Sequence, residues 1–225
     1  MSDRSTPDRS TARRLAAESV AAGEPTAWFE TLYAAAEQGA AVVPWADLEP
    51  NPLLVRWAVA GRATGRGRAV VLGCGLGDDA EYLAGLGYDV VAFDIAPTAV
   101  AAARRRFPST TVDYRVADLL ELPPDWIGAF DLVLEVYTVQ VLLGEARRTA
   151  IANSAALVGP GGRLLVLARA RDSDGDPGQM PWPLTRAEID AFAVGDLVAT
   201  DVDEVLDDED PPVRRWVAEF HRPSA

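Results

Sequence analysis

Apolar residues along this chain fall into short β-branched runs, separated by stretches whose large side chains recur at helical spacing. The runs predict strands over 69–72, 89–93, 111–116, 130–135, 162–168, 197–205 and 213–221. Helices are predicted over 78–86, 97–106, 143–158 and 185–193, the last opened by a capping box of Thr185 and Glu188. Strand and helix alternate through the first five strands, the mark of a parallel sheet with right-handed crossovers. Only a short acidic loop, 207–212, joins the last two strands, so they are expected to pair antiparallel. The expected fold is α/β: a Rossmann-like seven-stranded sheet, last strand reversed, with helices on both faces.

Ahead of the sheet the pattern is helical. Residues 1–10 are polar and expected to be disordered, and 11–22 form an alanine-rich candidate helix. Thr26 is placed to cap a second helix bearing Trp28, Phe29, Leu32 and Tyr33, which Gly39 ends. A third is predicted over 53–63, with Leu54, Val55, Ala58 and Val59 packing on the sheet. This divides the chain into an N-terminal extension, 1–25, and one domain, 26–225. Within the domain, 26–66 supply lid helices and 67–225 the core.

The first strand runs into Gly73, Cys74, Gly75 and Gly77, and then into a helix that begins with Asp78 and Asp79. Glycine lets the backbone take unusual dihedrals and lets a ligand approach without a Cβ in the way. Such turns at the carboxyl edge of a parallel sheet bind nucleotide-like ligands. Dinucleotide-binding turns place a small residue where Asp78 stands, and a carboxylate there is poorly suited to a pyrophosphate. The second strand ends in Asp94, placed to accept hydrogen bonds from ribose hydroxyls, and the third is read as running on to Asp118.

Composition narrows the chemistry. The 225 residues are 49% hydrophobic, enough for a full core, and carry a net charge of −13, which disfavours nucleic acid or an anionic membrane as partner. No apolar run spans a membrane and no secretory signal stands at the start, so a cytoplasmic protein is expected. One cysteine and one histidine, His221, exclude an intrachain disulfide and a Cys/His zinc site. All 21 basic residues are arginine, which removes lysine Schiff-base and P-loop chemistry. Seven acids between Asp201 and Asp210 read as a solvated loop, and no metal site is expected. A small-molecule substrate is the remaining expectation, for a monomer or a homodimer.

With the glycine turn, Asp94 and Asp118 together, 69–168 resembles the class I S-adenosylmethionine-dependent methyltransferases. The helix with Trp28–Tyr33, then Pro44-Trp45, then Pro50-Asn-Pro-Leu-Leu-Val, resembles the thiopurine and thiol S-methyltransferase group. So does Gly178-Gln-Met-Pro-Trp-Pro-Leu-Thr after the fifth strand. The chain departs from that group in about five extra residues before Trp45, and in Glu135-Val136 where thiopurine enzymes carry Asp-Arg. The resemblance implies S-adenosylmethionine as cofactor and S-adenosylhomocysteine as product. It sets Gly73, Cys74 and Gly75 against the methionine and ribose portion, Asp94 at the ribose, and Ile95 against the adenine. It sets Asp118 and the Leu119 backbone at the adenine edge, and Glu135 near the amino group.

Phe29, Tyr33 and Trp45 are candidates for an aromatic lid, since aromatic faces attract a sulfonium charge; core packing is the alternative. Glu135 and Tyr137 are the candidate catalytic groups, Gln140 a candidate orienting group, and Trp182 with Met180 a substrate wall. With no histidine in the body of the domain, a soft nucleophile such as a thiol is favoured, because it needs little help from a base. An O- or N-methyltransferase of a secondary metabolite stays open. So do a non-catalytic cofactor-binding protein and a nicotinamide enzyme.

Overall fold

A computed structural model describes residues 9–224. The expected disorder of 1–10 lies almost wholly outside the described residues. Seven strands form one sheet in the order β3-β2-β1-β4-β5-β7-β6. They are β1 (Arg68–Leu72), β2 (Asp89–Asp94), β3 (Asp113–Val116), β4 (Phe130–Val136), β5 (Val158–Arg169), β6 (Val198–Leu206) and β7 (Arg214–His221). The first five pair parallel, while β7 lies antiparallel to both β5 and β6. Strand alternation and the reversed β7 follow the sequence pattern.

The helices are α1 (Ser10–Ala21), α2 (Trp28–Glu37), α3 (Pro52–Trp57), α4 (Asp78–Gly85), α5 (Pro97–Arg106), α6 (Gly144–Ala156) and α7 (Arg186–Asp190). Because side chains alternate across each strand, the parallel sheet buries both faces. On one face Val70, Leu72, Val133 and Val166 pack under α6 through Ala150, Ile151 and Ala155. On the other, Val71, Leu134 and Leu167 meet Leu54 and Trp57 of α3, Leu83 of α4 and Val100 of α5. Each such large side chain contributes roughly 1.5–3 kcal/mol by leaving water.

Several local expectations are corrected. Thr26 makes no capping bond; α2 opens at Ala27 with no side-chain cap. The third helix is regular only to Trp57 and ends in a wide turn, Ala58–Arg62, where Gly61 takes φ +79°. Its buried face is therefore Leu53, Leu54 and Trp57, while Val59 is 79% exposed. β3 stops at Val116, so Asp118 stands in the loop beyond it. β5 begins at Val158, inside the span predicted as helix, and holds an irregularity across which the register steps from Phe130 opposite Val158 to Leu132 opposite Arg163.

The acidic run is ion-paired, not simply solvated. Asp201 meets Arg62, Glu204 meets Arg214, and Asp207 and Glu209 both meet Arg215. Among the described residues no cluster of His, Cys, Asp or Glu has the arrangement of a metal site. No helix among them is long and apolar enough to cross a membrane.

Candidate active site

The site is built at the carboxyl edge of the sheet, where β1, β2 and β4 end side by side. Leaving β1, the backbone turns through Gly73 at φ +58° and Gly75 at φ +52°, dihedrals in which an L side chain is strained. There is no room for one either. A Cβ on Gly73 would stand 2.6 Å from Thr138 Oγ1, and one on Gly75 would stand 3.0 Å from the Tyr33 hydroxyl. The Cys74 amide donates to the Phe93 carbonyl at 2.8 Å, and the Gly75 amide donates to Asp94 Oδ2 at 3.0 Å. The turn is thus fastened to the end of β2.

Asp94 is buried, and its Oδ1 accepts from the Ala96 amide at 2.9 Å. Burial pushes its carboxyl up to about 6, against the pull of those two amides. Ile95 follows, half-buried. Cys74 is a half-buried thiol whose pKa burial, and then Asp94, push well up, so it is no ready nucleophile. Asp118 folds back on its own loop, Oδ1 accepting from the Leu120 amide at 2.7 Å, and Leu119 is buried beside it.

Asp78, the acid at the mouth of α4, is held by two bonds from Arg106 at 2.6 and 2.7 Å. Its charge is neutralised by that guanidinium, a partner on α5 that local sequence does not disclose.

Beyond β4 the chain makes a tight turn. Glu135 is fully buried, and its Oε1 accepts from the amides of Thr138 and Val139 at 2.7 and 2.8 Å. Its Oε2 is buried with no hydrogen-bond partner among the described residues. Burial pushes the carboxyl up to about 7. Thr138 in turn donates to the Leu72 carbonyl at 3.0 Å and sits against Gly73. Glu135 thereby shapes the turn that backs the glycine loop. Thr138 escapes sequence reading because only the fold brings it to Gly73.

Tyr137, between them, adopts φ +60°, uncommon for an aromatic residue and a frequent property of functional turns. The Arg215 guanidinium lies 4.8 Å from its ring centre. Burial raises the Tyr137 hydroxyl, while Arg215 and a hydrogen bond from Asn51 oppose that rise. Gln140 is buried with its side chain used: Oε1 accepts from the Arg169 amide at 2.7 Å. Its backbone carbonyl accepts from the Trp182 amide at 2.8 Å. Gln140 therefore joins β5 to the segment bearing Trp182.

The three candidate lid aromatics lie in or beside the same packed clusters. Trp45 Nε1 donates to the Tyr33 hydroxyl at 3.0 Å, and Phe29 stacks on Trp28 at 4.0 Å between ring centres. Tyr33 is buried, its pKa pushed well up by burial and then by Asp94. Trp45, Phe29 and Trp182 join a cluster with α1, Val141 and Met180. Helix α2 is tied to α5, since Glu30 accepts from the amide and hydroxyl of Thr98 at 3.0 and 2.5 Å.

The donor set fits one kind of cofactor. Asp94, Asp118 and the free Glu135 Oε2 are acceptors, and Arg106, at the mouth of α4, is committed to Asp78. Acceptors suit ribose hydroxyls, an amine and a sulfonium, and repel phosphates.

Residues 70–166 match the family described as a methyltransferase domain. A 2-heptyl-1-hydroxyquinolin-4(1H)-one methyltransferase of Mycobacteroides abscessus is 30% identical over 174 residues, 72% of each chain. A ubiquinone biosynthesis O-methyltransferase of Xanthomonas axonopodis is 34% identical over 119 residues, 52% of this chain and 48% of that one. The solved N-methyltransferase NodS from Bradyrhizobium japonicum, in complex with S-adenosylhomocysteine, superposes with a TM-score of 0.66 at 21% identity. That match covers 87% of this chain and 100% of the other. From the domain match and the mycobacterial relative, the chain belongs to the class I, S-adenosylmethionine-dependent methyltransferase family.

Proposed function

We propose that this enzyme transfers a methyl group to a small aromatic acceptor through an acidic hydroxyl. The observation that carries the cofactor half of this reading is the Gly75–Asp94–Ala96 clamp, a buried carboxylate at the end of β2 with lone pairs left for two hydroxyls. S-adenosylmethionine, when bound, supplies a sulfonium methyl that leaves by in-line displacement. The chain's part is to align the partners and exclude water.

In this reading Asp94 holds the ribose, Ile95 and Leu119 flank the adenine, and Asp118 faces its amino group. Gly73, Cys74 and Gly75 provide the backbone against the methionine portion. Tyr33 and Trp45, joined by their hydrogen bond, close over the turn, with Phe29 behind them. Tyr137 stands at the acceptor, while Glu135 acts as a positioning residue through Thr138. Gln140 and Trp182 form the wall's frame and not its contact surface.

A hydroxyl acceptor is favoured by the two relatives above, one of whose names states O-methylation and the other a hydroxylated quinolone. A thiol is the second reading, favoured because the one histidine, His221, lies opposite Arg163 at the end of the sheet away from the glycine turn and offers no base there. Calorimetry with S-adenosylhomocysteine, beside NADH, tests the cofactor. Micromolar binding of the former alone supports the reading, and its absence overturns it. Turnover of paired phenol and thiophenol acceptors then separates oxygen from sulfur, and Tyr137→Phe should lower kcat on whichever is used.

A further inference from the structure

Arg169 is the last residue of β5, at the same sheet edge as the glycine turn. Its amide is fixed by Gln140 Oε1 at 2.7 Å, so its Cα cannot wander. Alternation along β5 puts its side chain on the face of Leu165 and Leu167, the face that also receives Tyr137. Directly across the antiparallel ladder from Arg169 stands Arg215. Like charges facing each other across a ladder are destabilising unless something offsets them.

For Arg215 the offset is complete. It is 3% exposed, donates to Asp207 at 2.6 Å, pairs with Glu209 and lies over the Tyr137 ring. For Arg169 it is not. Its side chain is 17% exposed, and its one ion pair among the described residues is 3.6 Å from Glu209 Oε2, beyond hydrogen-bond distance. That same Glu209 is already engaged by Arg215. Burial, with Arg215 and Arg9 close by, pulls the Arg169 guanidinium down to about 10. A mostly buried cation with an incomplete counter-charge, one strand over from Tyr137, is a ready anion receptor.

We propose that Arg169 recognises the methyl acceptor, which binds beside Tyr137 as an anion. This rests on the methyl-transfer reading and adds the charge class of its substrate. It also accounts for an acceptor site to which no histidine is assigned, the one histidine, His221, lying opposite Arg163 at the far end of β5 from Arg169. A cation at the acceptor stabilises the oxyanion, so the hydroxyl proton passes to solvent on binding and no side chain need remove it. The oxygen then forms the O–C bond with its own electron pair, and the pair of the broken C–S bond stays on sulfur.

The probe is 4-nitrophenol, whose colour reports its ionisation, added to the S-adenosylhomocysteine complex across pH. The bound probe is expected to ionise about one pH unit below the free probe, which means tenfold preference for the anion. Arg169→Gln should abolish most of that shift, and Arg169→Lys should restore part of it, both at wild-type affinity for S-adenosylhomocysteine. Competition by benzoate but not by benzyl alcohol would place a carboxylate at the same receptor; competition by neither would assign it to the reacting oxygen. The proposal is overturned if the cofactor product binds but the probe does not, if phenol and phenolate bind alike, or if Arg169→Gln leaves the shift intact. Failure of S-adenosylhomocysteine to bind would instead remove the methyl-transfer reading, and the acceptor assignment with it.

Discussion

The Gly75 amide and the Asp94 carboxylate meet at 3.0 Å, so the backbone of one strand end is oriented by the side chain of the next. Asp94 both shapes the turn and retains acceptor capacity for a ligand. Its replacement should weaken folding and binding together.

Asp94→Ala leaves the Gly75 and Ala96 amides without their partner, a loss of about 1–3 kcal/mol in stability. Affinity for S-adenosylhomocysteine should fall tenfold or more. Isothermal calorimetry on the folded variant measures this directly. Unchanged affinity would take Asp94 out of the cofactor site. In the wild type the same affinity should weaken as pH falls through about 6, where Asp94 takes up its proton.

Glu135 makes a stability prediction with a definite sign. Its folded pKa, about 7, lies above the ordinary 4.5, so between those values the native state holds more proton than the unfolded chain. Stability from this group is present below pH 4.5, declines as pH rises to about 7, and is flat beyond. Glu135→Gln removes that slope, at most about 1.4 kcal/mol per pH unit. Urea unfolding from pH 5 to 8 should therefore show the variant gaining on the wild type as pH rises. Parallel curves would mean that Glu135 is ionised throughout. Asp79 and Asp94, both raised to about 6 by burial, contribute the same sign in both proteins.

Tyr33→Phe removes the hydroxyl that accepts from Trp45 Nε1 while keeping the ring. The loss should be about 1 kcal/mol, read as a fewfold weaker hold on S-adenosylhomocysteine. Tryptophan fluorescence during the titration reports whether the aromatic cluster around Trp45 responds to the ligand. A variant that binds like the wild type would make the aromatic cluster a packing feature only.

Gln140→Ala should separate architecture from binding. It strands the Arg169 amide and loosens the frame of the Trp182 segment, for about 1–3 kcal/mol of stability. Affinity for S-adenosylhomocysteine should stay within about twofold, since Gln140 contacts β5 and not the glycine turn. A loss of binding larger than the loss of stability would return Gln140 to the site.

The glycine turn and the acid beside it were legible because they are local. Gly73 and Gly75 end a strand, Asp94 ends the next, and each position follows from the run of apolar residues before it. The capping box of Thr185 and Glu188 forms as its spacing implies. Less local features misled. Val55 and Val59 have the right spacing to pack, yet the helix opens into a wide turn at Gly61 and presents Leu53, Leu54 and Trp57 instead. Gln140 and Glu135 have the right chemistry to face a ligand, but backbone amides claim Gln140 Oε1 from β5 and Glu135 Oε1 from its own turn, leaving only Glu135 Oε2 without a partner among the described residues.

The sequence by itself determined the alternation of strand and helix, the reversal of β7 and the acid Asp94 at the end of β2. These follow from hydrophobic period and glycine placement, which act over a few residues. Only the tertiary structure decided which charges are neutralised. Asp78 is matched by Arg106, and Arg215 by Asp207, while Arg169 is left with a counter-charge 3.6 Å away. Charge pairing depends on distances between side chains carried by different elements, and those distances exist only once the sheet has set its register.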